Sequence, residues 1–235
     1  MKTLLALLAV LTLPVVAIAA PERLTIKIDG VDRQALVFAP AKAAAAVPTL
    51  FVYHGAGDTA ENFTIVGFEG AWPEALVVYM DGLSLGPGQG GVFQARDASN
   101  ENRDLKFFDA MLAELHKRFT IDDTRVYATG FSNGARMTYL LWATRPNVFA
   151  AFAPVAGMLS ADVSLLEPKP VLHVAGRADR TNAFDEQMKS VELARTANRA
   201  TGTPVETYLH NGGHYWPPDT TGRIVAVLRT KTLTR

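Results

Sequence analysis

The sequence predicts an α/β sandwich with a mostly parallel central sheet, helices on both faces and an N-terminal antiparallel hairpin. Continuous apolar runs, which are typical of strands covered on both faces, alternate along the chain with segments that have the apolar spacing of helices. Ahead of these runs, Leu24, Ile26 and Ile28 alternate with polar residues before an Asp29-Gly30 turn, which predicts a hairpin at a sheet edge. In such a fold we expect the functional residues at the carboxyl ends of the parallel strands.

The individual elements follow from the same patterns. After the second hairpin strand at residues 35–38, the apolar runs predict strands at residues 49–53, 75–80, 125–128, 149–155, 171–174 and 205–209. Helices are predicted at residues 104–119, after Ser132, at about 185–199 and at 220–231. Residues 83–100 are rich in glycine and polar side chains, so we expect a long loop that forms a wall of a cleft.

The N-terminus has the pattern of a secretory signal peptide. Lys2 precedes an apolar run from Leu4 to Ala20 that ends in small residues, and the expected cleavage follows Ala19. Pro14 interrupts the run, which disfavours an uncleaved membrane anchor. We therefore expect residues 1–19 to be a signal peptide, residues 20–235 to form one domain, and the mature protein to lie in the periplasm or outside the cell.

Composition argues against several classes of partner. The chain has 23 Lys and Arg against 23 Asp and Glu, so it lacks the basic surface expected for nucleic acid or an anionic membrane. It contains no cysteine, so we expect its core alone to stabilise it, without a disulfide or a lipid-modified cysteine. The expected ligand is a neutral or nearly neutral molecule, and we expect a monomer.

The segment Thr129-Gly130-Phe131-Ser132-Asn133-Gly134-Ala135 contains the pattern G-x-S-x-G between a predicted strand and a predicted helix. This context is typical of a nucleophile elbow, a turn so tight that only glycine fits at its flanks. The turn would hold the Ser132 hydroxyl clear of the backbone. Because a pattern this short arises by chance in many sequences, its interpretation depends on the other residues that the chain supplies.

A nucleophilic serine needs a histidine to take its proton and a carboxylate to orient that histidine. In this type of fold the expected order along the chain is Ser, Asp or Glu, then His. Asp179 follows the predicted strand at 171–174, and His214 lies in a glycine-rich loop after the strand at 205–209. Asp185 is the main alternative acid, although its position favours the start of a helix.

The remaining histidines have other expected roles. His116 falls on a predicted helix and His173 inside a predicted strand, so both are interpreted as structural. His210 neighbours His214 and is the weaker alternative base. His54 precedes Gly55-Ala56-Gly57 and is expected to position that loop and not to act as a base.

Two backbone N–H groups are expected to form an oxyanion hole, which is usually the largest single source of rate enhancement in acyl transfer. One is the N–H of Asn133, the residue after the proposed nucleophile. The other is assigned to Ala56, with Gly55 as the near alternative, because the glycines allow the backbone to approach closely. An ordinary glycine-rich turn is the competing interpretation of this loop.

Four segments together resemble a known family. They are HGAGDTAENF at 54–63, NRDLKF at 102–107, GFSNGA at 130–135 and GGHYWP at 212–217. They resemble the secreted esterases grouped with polyhydroxybutyrate depolymerases and feruloyl or acetylxylan esterases, over a region from about Arg23 to the end of the chain. The resemblance implies an α/β-hydrolase fold, ester hydrolysis without a metal or cofactor, and a triad of Ser132, Asp179 and His214.

These arguments predict a secreted serine carboxylic-ester hydrolase that acts through an acyl-enzyme on soluble feruloyl or acetyl esters of plant cell walls, or on hydroxyalkanoate oligomers. Phe93, Trp216 and Tyr215 are the candidates for contact with substrate. Phe93 is the only aromatic residue between Leu83 and Gln94, which weakens the feruloyl assignment. The alternatives are a secreted serine peptidase of the same fold and a non-catalytic binding protein on a hydrolase scaffold.

Overall fold

A computed structural model describes residues 20–40 and 45–233. Its strands are β1 (Glu22–Ile28), β2 (Val31–Phe38), β3 (Val47–Tyr53), β4 (Leu76–Met80), β5 (Leu83–Ser84), β6 (Gly91–Val92), β7 (Ile121–Phe131), β8 (Ala151–Val155), β9 (Val171–Gly176) and β10 (Val205–His210). Its helices are α1 (Ala60–Phe63), α2 (Phe68–Ala71), α3 (Arg103–Arg118), α4 (Asn133–Thr144), α5 (Phe184–Asn198) and α6 (Thr220–Leu228). The predicted signal peptide at 1–19 lies outside the described residues.

Eight strands form one twisted sheet in the order β1-β2-β4-β3-β7-β8-β9-β10. The pairs β1–β2 and β2–β4 are antiparallel, and every pair from β4–β3 to β9–β10 is parallel. The predicted fold class is therefore confirmed, including the antiparallel hairpin at the edge of the sheet. Parallel strands place their carboxyl ends together, so the loops after β3, β7, β9 and β10 share one edge.

Hydrophobic cores cover both faces of the sheet. One core holds side chains of α3, α4 and α5, among them Phe108, Trp142 and Ala194, and the other holds side chains of α1, α2 and α6. Strand β3 supplies both cores, because Phe51 points into the first and Val52 into the second. This double burial explains why β3 is a continuous apolar run, and each fully buried large side chain contributes about 1.5–3 kcal/mol of transfer free energy.

The structure differs from the predicted elements at several boundaries. Residues 83–100, expected to be a long loop that forms a wall of a cleft, contain the short β5–β6 hairpin and the start of a 3₁₀ turn at Ser99–Asn102. Strand β7 begins at Ile121, before the predicted strand, because Ile121 pairs with Val47 ahead of a register shift that spans polar residues. Helix α6 ends at Leu228, and the single-turn helices α1 and α2 are too short to show an apolar period.

Among residues 20–40 and 45–233, no helix has the length and apolar character needed to cross a membrane.

Candidate active site

Ser132 occupies the junction between β7 and α4 in a strained conformation. Its φ is 54° and its ψ is −108°, a region that costs a residue other than glycine about 1–3 kcal/mol. The N–H of Ser132 donates to the Val155 carbonyl at 2.9 Å, and its carbonyl accepts from the N–H of Arg136 at 3.2 Å. The strand on one side and the helix on the other thus hold the serine in place.

The glycines of this turn are needed because other backbone atoms lie very close to them. A methyl group on Gly134 would lie 2.1 Å from the carbonyl oxygen of Tyr53 and 2.6 Å from that of His54. A methyl group on Gly130 would lie 2.5 Å from the carbonyl of Gly134. The first turn of α4 therefore packs directly on the end of β3, which brings Ser132 next to the loop that follows β3.

A single imidazole joins Ser132 to Asp179. His214 Nε2 lies 2.9 Å from Ser132 Oγ, and His214 Nδ1 lies 2.8 Å from Asp179 Oδ2. Because an ionised carboxylate only accepts hydrogen bonds, Nδ1 carries the proton of the neutral imidazole and Nε2 accepts the hydrogen bond of the serine hydroxyl. The structure thus brings together the three residues that the sequence predicts to form a triad, and the distances fit the tautomer in which the imidazole can take the serine proton.

Asp179 is buried, and four donors surround its carboxylate. Oδ1 accepts from the N–H groups of Thr181 at 2.9 Å and Asn182 at 3.0 Å. Oδ2 accepts from Gln187 Nε2 at 3.0 Å and from His214. Hydrogen bonds of this kind offset the cost of burying a charge, and they fix the oxygen that faces the imidazole.

The alternative acid Asp185, the alternative base His210 and the helix residue His116, which is interpreted as structural, lie in other environments. Asp185 is exposed in the first turn of α5. His210 Nδ1 accepts from the N–H of Gly212 at 3.1 Å, its ring packs 5.0 Å from that of Tyr215, and burial lowers its pKa. His116 lies on the outer side of α3, 3.3 Å from Asp123.

His54 is buried and holds two backbone segments. Its Nδ1–H donates to the Gly55 carbonyl at 2.7 Å, and its Nε2 accepts from the N–H of Gly82 at 3.0 Å. Burial lowers the pKa of His54, which maintains the neutral ring that these two bonds require. His54 therefore links the loop after β3 to the loop after β4, and both of its ring nitrogens are occupied.

The N–H groups of Ala56 and Asn133 make no hydrogen bond to the described residues. Asn133 is the first residue of α4, where N–H groups lack an intrahelical acceptor. Gly55 lies against the elbow, since a methyl group on it would be 3.1 Å from the Phe131 ring and 3.8 Å from Ser132 Cβ. Two N–H groups without a described partner thus belong to residues at the elbow, one directly after Ser132 and one directly after Gly55.

The side chain of Asn133 has a separate contact that the sequence does not reveal. Its Oδ1 accepts from the N–H of Phe93 at 2.7 Å, and its Nδ2 donates to the Phe93 carbonyl at 3.0 Å. This pair of bonds fastens the end of the β5–β6 hairpin to the elbow. The ring of Phe93 is only 4% exposed and packs against Tyr53 and His54, so it belongs to the core and not to the wall of the cleft where we expected it.

Aromatic side chains lie beside the imidazole. The rings of Phe131 and His214 are 4.8 Å apart, and Phe131, Phe63 and Trp216 pack on one another at 5.6–6.5 Å. We call these three residues the aromatic shelf; Phe131 and Trp216 are partly exposed. Tyr215, also a predicted substrate contact, is 47% exposed on the His210 side. Phe131 is a site residue that the sequence does not identify, because nothing in its pattern distinguishes it from an apolar packing residue of the elbow.

The described part of the chain contains no cluster of three or more His, Asp or Glu side chains arranged to hold a metal ion.

The sheet order and the serine at the β7–α4 turn define an α/β-hydrolase fold. The model of the prolyl oligopeptidase family matches residues 86–171, fewer than half of the chain but including Ser132. Among solved structures, a ferulic acid esterase from Anaeromyces mucronatus, in complex with ferulic acid, superposes with a TM-score of 0.68 over 90% of each chain at 15% identity.

The sequence itself is similar to esterases. NocK of Nocardia uniformis subsp. tsuyamanensis, a protein named as an esterase, is 35% identical to this protein over 149 residues. The aligned region covers 59% of this chain and 42% of NocK. The bifunctional acetylxylan esterase/xylanase XynS20E of Neocallimastix patriciarum is 30% identical over 160 residues, 64% of this chain and 22% of the enzyme. The chain thus spans less than half the length of either relative.

Proposed function

We propose that this protein is a serine carboxylic-ester hydrolase with Ser132, His214 and Asp179 as its catalytic triad. The observation that carries the proposal is the pair of hydrogen bonds, 2.9 and 2.8 Å long, that one imidazole makes to a strained serine and to a buried carboxylate. A serine hydroxyl is a weak nucleophile until an adjacent base takes its proton. This arrangement provides that base and the group that orients it.

The reaction follows from the positions of these groups. Ser132 Oγ attacks the ester carbonyl carbon while its proton passes to His214 Nε2, and Asp179 stabilises the imidazolium that forms. The N–H groups of Asn133 and Ala56, with Gly55 as the alternative, donate to the oxyanion. His214 then gives its proton to the leaving alcohol. Water, deprotonated by the same imidazole, attacks the acyl-enzyme, and the acid leaves as Ser132 regains its proton.

The substrate class rests on the surroundings of the triad and on the similar proteins. We propose soluble feruloyl or acetyl esters of plant cell walls, or hydroxyalkanoate oligomers. The aromatic shelf offers an apolar surface beside His214, and Trp216 and Tyr215 are the proposed substrate contacts. An acetylxylan esterase and a ferulic acid esterase are among the similar proteins, which agrees with this class.

A serine peptidase of the same fold is the second candidate. It is favoured by the match of residues 86–171 to the prolyl oligopeptidase family. The same triad would cleave an amide, so a comparison of ester substrates with aminoacyl-amide substrates separates the two activities. A non-catalytic scaffold would react with neither, and it would not be labelled by a fluorophosphonate at Ser132.

The proposed enzyme is a secreted monomer with one catalytic domain over residues 20–235. The support for export is the charged, then apolar, then small-residue order of positions 1–19. Sequencing of the N-terminus of the protein recovered outside the cytoplasm tests the cleavage after Ala19. Sedimentation of that same preparation tests the monomer.

The central experiment is the replacement of Ser132 by alanine. Loss of the nucleophile is expected to lower kcat for p-nitrophenyl acetate by a factor on the order of 10⁶ and to abolish fluorophosphonate labelling. Ser164→Ala, an exposed serine far along the chain, serves as the control and should retain the activity and labelling of the parent. Full turnover by Ser132→Ala would contradict the proposal.

A further inference from the structure

A buried chain of hydrogen bonds extends behind the carboxylate of Asp179. Gln187 Nε2 lies 3.0 Å from Asp179 Oδ2, His173 Nε2 lies 3.3 Å from Gln187 Oε1, and the Tyr139 hydroxyl lies 2.8 Å from His173 Nδ1. Gln187 and His173 are fully buried, and Tyr139 is 1% exposed. None of these three side chains takes part in the reaction described above.

The neighbouring groups determine which atoms in this series of hydrogen bonds carry protons. Gln187 Nε2 has two hydrogens and two acceptors, Asp179 Oδ2 and the Asn182 carbonyl at 2.6 Å. A flipped amide would place its oxygen against both of these oxygens, so Oε1 must face His173. Because Oε1 only accepts, His173 Nε2 carries the proton, and His173 Nδ1 accepts from the Tyr139 hydroxyl. Each hydrogen bond of the series is therefore donated in the direction of the Asp179 carboxylate.

The protonation state of His173 agrees with this assignment. Burial lowers the pKa of His173 from its ordinary value of 6.5 to about 4, while the hydrogen bond with Gln187 acts in the opposite direction. The ring is therefore neutral at neutral pH, which leaves Nδ1 free to accept. A charged ring would carry a second proton on Nδ1 and would oppose the hydroxyl of Tyr139.

This series of hydrogen bonds also connects the helix that begins at the nucleophile to the loop that holds the acid. Tyr139 lies seven residues after Ser132 on helix α4, which begins at the elbow. The bonds run from this helix through His173 on β9 to Gln187 on α5 and then to Asp179 in the loop between β9 and α5. His214 closes the ring by bonding both Asp179 and Ser132. The nucleophile and the acid are thus connected twice, once through the imidazole and once through the core.

We propose that Gln187, His173 and Tyr139 are positioning residues for the acyl transfer, and this proposal rests on the proposed function. Gln187 binds the same oxygen, Oδ2, that accepts from His214, so it sets the direction of the lone pair left for the imidazole. His173 and Tyr139 hold Gln187 in the one amide orientation that donates to the carboxylate. The chain thereby maintains the imidazole in the orientation and tautomer that proton transfer from Ser132 requires.

The test uses two variants that interrupt this series of hydrogen bonds at different points. Gln187→Met preserves the length of the side chain but removes its donor, and we expect a 10–100-fold lower kcat with little change in KM, as for other residues that orient a catalytic group. Tyr139→Phe removes only the far hydroxyl, and a smaller loss of about 2–5-fold is expected. In both variants the NMR resonance of the His214 Nδ1–H proton should shift, and the shift should be larger in Gln187→Met.

Asn198→Leu is the matched control. Asn198 is a buried amide at the end of the same helix, and it bonds to the backbone of Lys169, remote from the triad. Its replacement should lower thermal stability but leave kcat and the His214 proton resonance unchanged. A folded Gln187→Met protein with parental kcat and resonance would overturn the proposal. So would an Asn198→Leu protein that loses as much kcat as Gln187→Met.

Two outcomes separate this proposal from the proposed function. If Ser132→Ala abolishes hydrolysis while Gln187→Met and Tyr139→Phe change neither kcat nor the proton resonance, the positioning role fails and the esterase stands. If the wild-type protein hydrolyses no ester, the proposed function is wrong. The resonance shift in the variants still reports whether the buried hydrogen bonds affect His214. If Gln187→Met does not fold, Tyr139→Phe with the same two measurements decides, and an unchanged resonance there overturns the proposal.

Discussion

The two edges of the sheet each hold an asparagine that pairs with both backbone groups of one distant residue. At the carboxyl edge, Asn133 bonds the N–H and the carbonyl of Phe93 at 2.7 and 3.0 Å. At the amino edge, Asn198 bonds those of Lys169 at 3.1 and 2.6 Å. The first pair fastens a glycine-rich hairpin to the strained serine, whereas the second joins the end of α5 to the segment that leads into β9.

An open pocket lies at the amino edge. It has a volume of about 910 Å³, and its described lining is Asn147, Ala150, Glu167, Pro168, Lys169, Pro170, Thr201, Thr203, Pro204, Thr232 and Leu233. That lining contains no histidine to activate a hydroxyl. At the carboxyl edge, by contrast, the strained Ser132 and the close contacts of Gly130 and Gly134 surround the bonded imidazole. The two edges therefore differ in the chemical groups that they hold: a bonded imidazole beside a strained serine at the carboxyl edge, and no histidine in the described lining of the pocket at the amino edge.

The largest expected effect at the carboxyl edge comes from the acid. Asp179→Asn should lower kcat by about 10⁴-fold, because an amide can face the imidazole with N–H groups and favour the wrong tautomer. The matched change Asp185→Asn, at the exposed start of α5, should leave kcat within about twofold of the parent. Steady-state kinetics on p-nitrophenyl acetate measure both. Equal losses in the two variants would show that Asp179 has no special role.

Glycines at the two edges should differ in how much an added methyl group destabilises the protein. Gly134→Ala would force a methyl group to within 2.1 Å of the Tyr53 carbonyl, and we expect a loss of about 4 kcal/mol or more in the free energy of unfolding. Gly202, at the amino end of β10, has φ of 68° and open space around it, so Gly202→Ala should cost only about 1 kcal/mol. Urea denaturation measures both. Similar losses would mean that packing at the elbow is no tighter than elsewhere.

His173 lies in the sheet between the two edges, and its burial should make the stability of the protein depend on pH. Its folded pKa of about 4 lies below its ordinary 6.5, so the unfolded chain binds the proton first on acidification. The contribution of His173 to the free energy of unfolding is therefore fully present above pH 6.5. It falls by about 3 kcal/mol in total as the pH drops towards 4. Urea denaturation across this range should show a steeper decline for the wild type than for His173→Gln. Parallel curves would contradict the assignment of a neutral, buried ring.

The smallest effects should come from the two asparagines. Asn133→Ala frees the hairpin, and we expect about a 10-fold loss of kcat/KM with a loss of about 1 kcal/mol of stability. Asn198→Ala should cost about 1–3 kcal/mol, because it leaves buried backbone groups unpaired, while kcat/KM stays at the parental value. Measuring kcat/KM and the free energy of unfolding for both variants tests whether the two asparagine–backbone pairs serve different purposes. A loss of kcat/KM in Asn198→Ala would remove the distinction between the edges.

The sequence predicts the fold because its strongest signals are periodic. The apolar runs of β3 and β4 and the stripe on α3 specify buried faces, and G-x-S-x-G lies between a strand and a helix as expected. The relative order of Ser132, Asp179 and His214 is also visible, since each follows a strand. The structure places all three in contact through the imidazole.

The features that the sequence does not reveal depend on tertiary contacts. Gln187 is a polar residue on a helix, and its burial becomes apparent only when α5 packs against β9. Phe93 lies in a polar, glycine-rich segment that resembles a cleft wall, yet its ring fills space beside Tyr53. The sequence predicts only a backbone role for Asn133, because the partner of its side chain is 40 residues away along the polypeptide.

The construction of the β5–β6 hairpin suggests how this scaffold could be diversified. Its base is held by Asn133, by the bond from Gly57 to the Gly91 carbonyl at 2.9 Å, and by contacts that leave no room for a side chain at Gly90. Its tip, by contrast, presents Leu85 at 56% exposure. A combinatorial library restricted to positions 85, 87 and 89, with the four glycines at 86, 88, 90 and 91 kept constant because Gly86 and Gly88 have positive φ, would therefore vary the surface near the proposed oxyanion loop while the hairpin keeps its backbone.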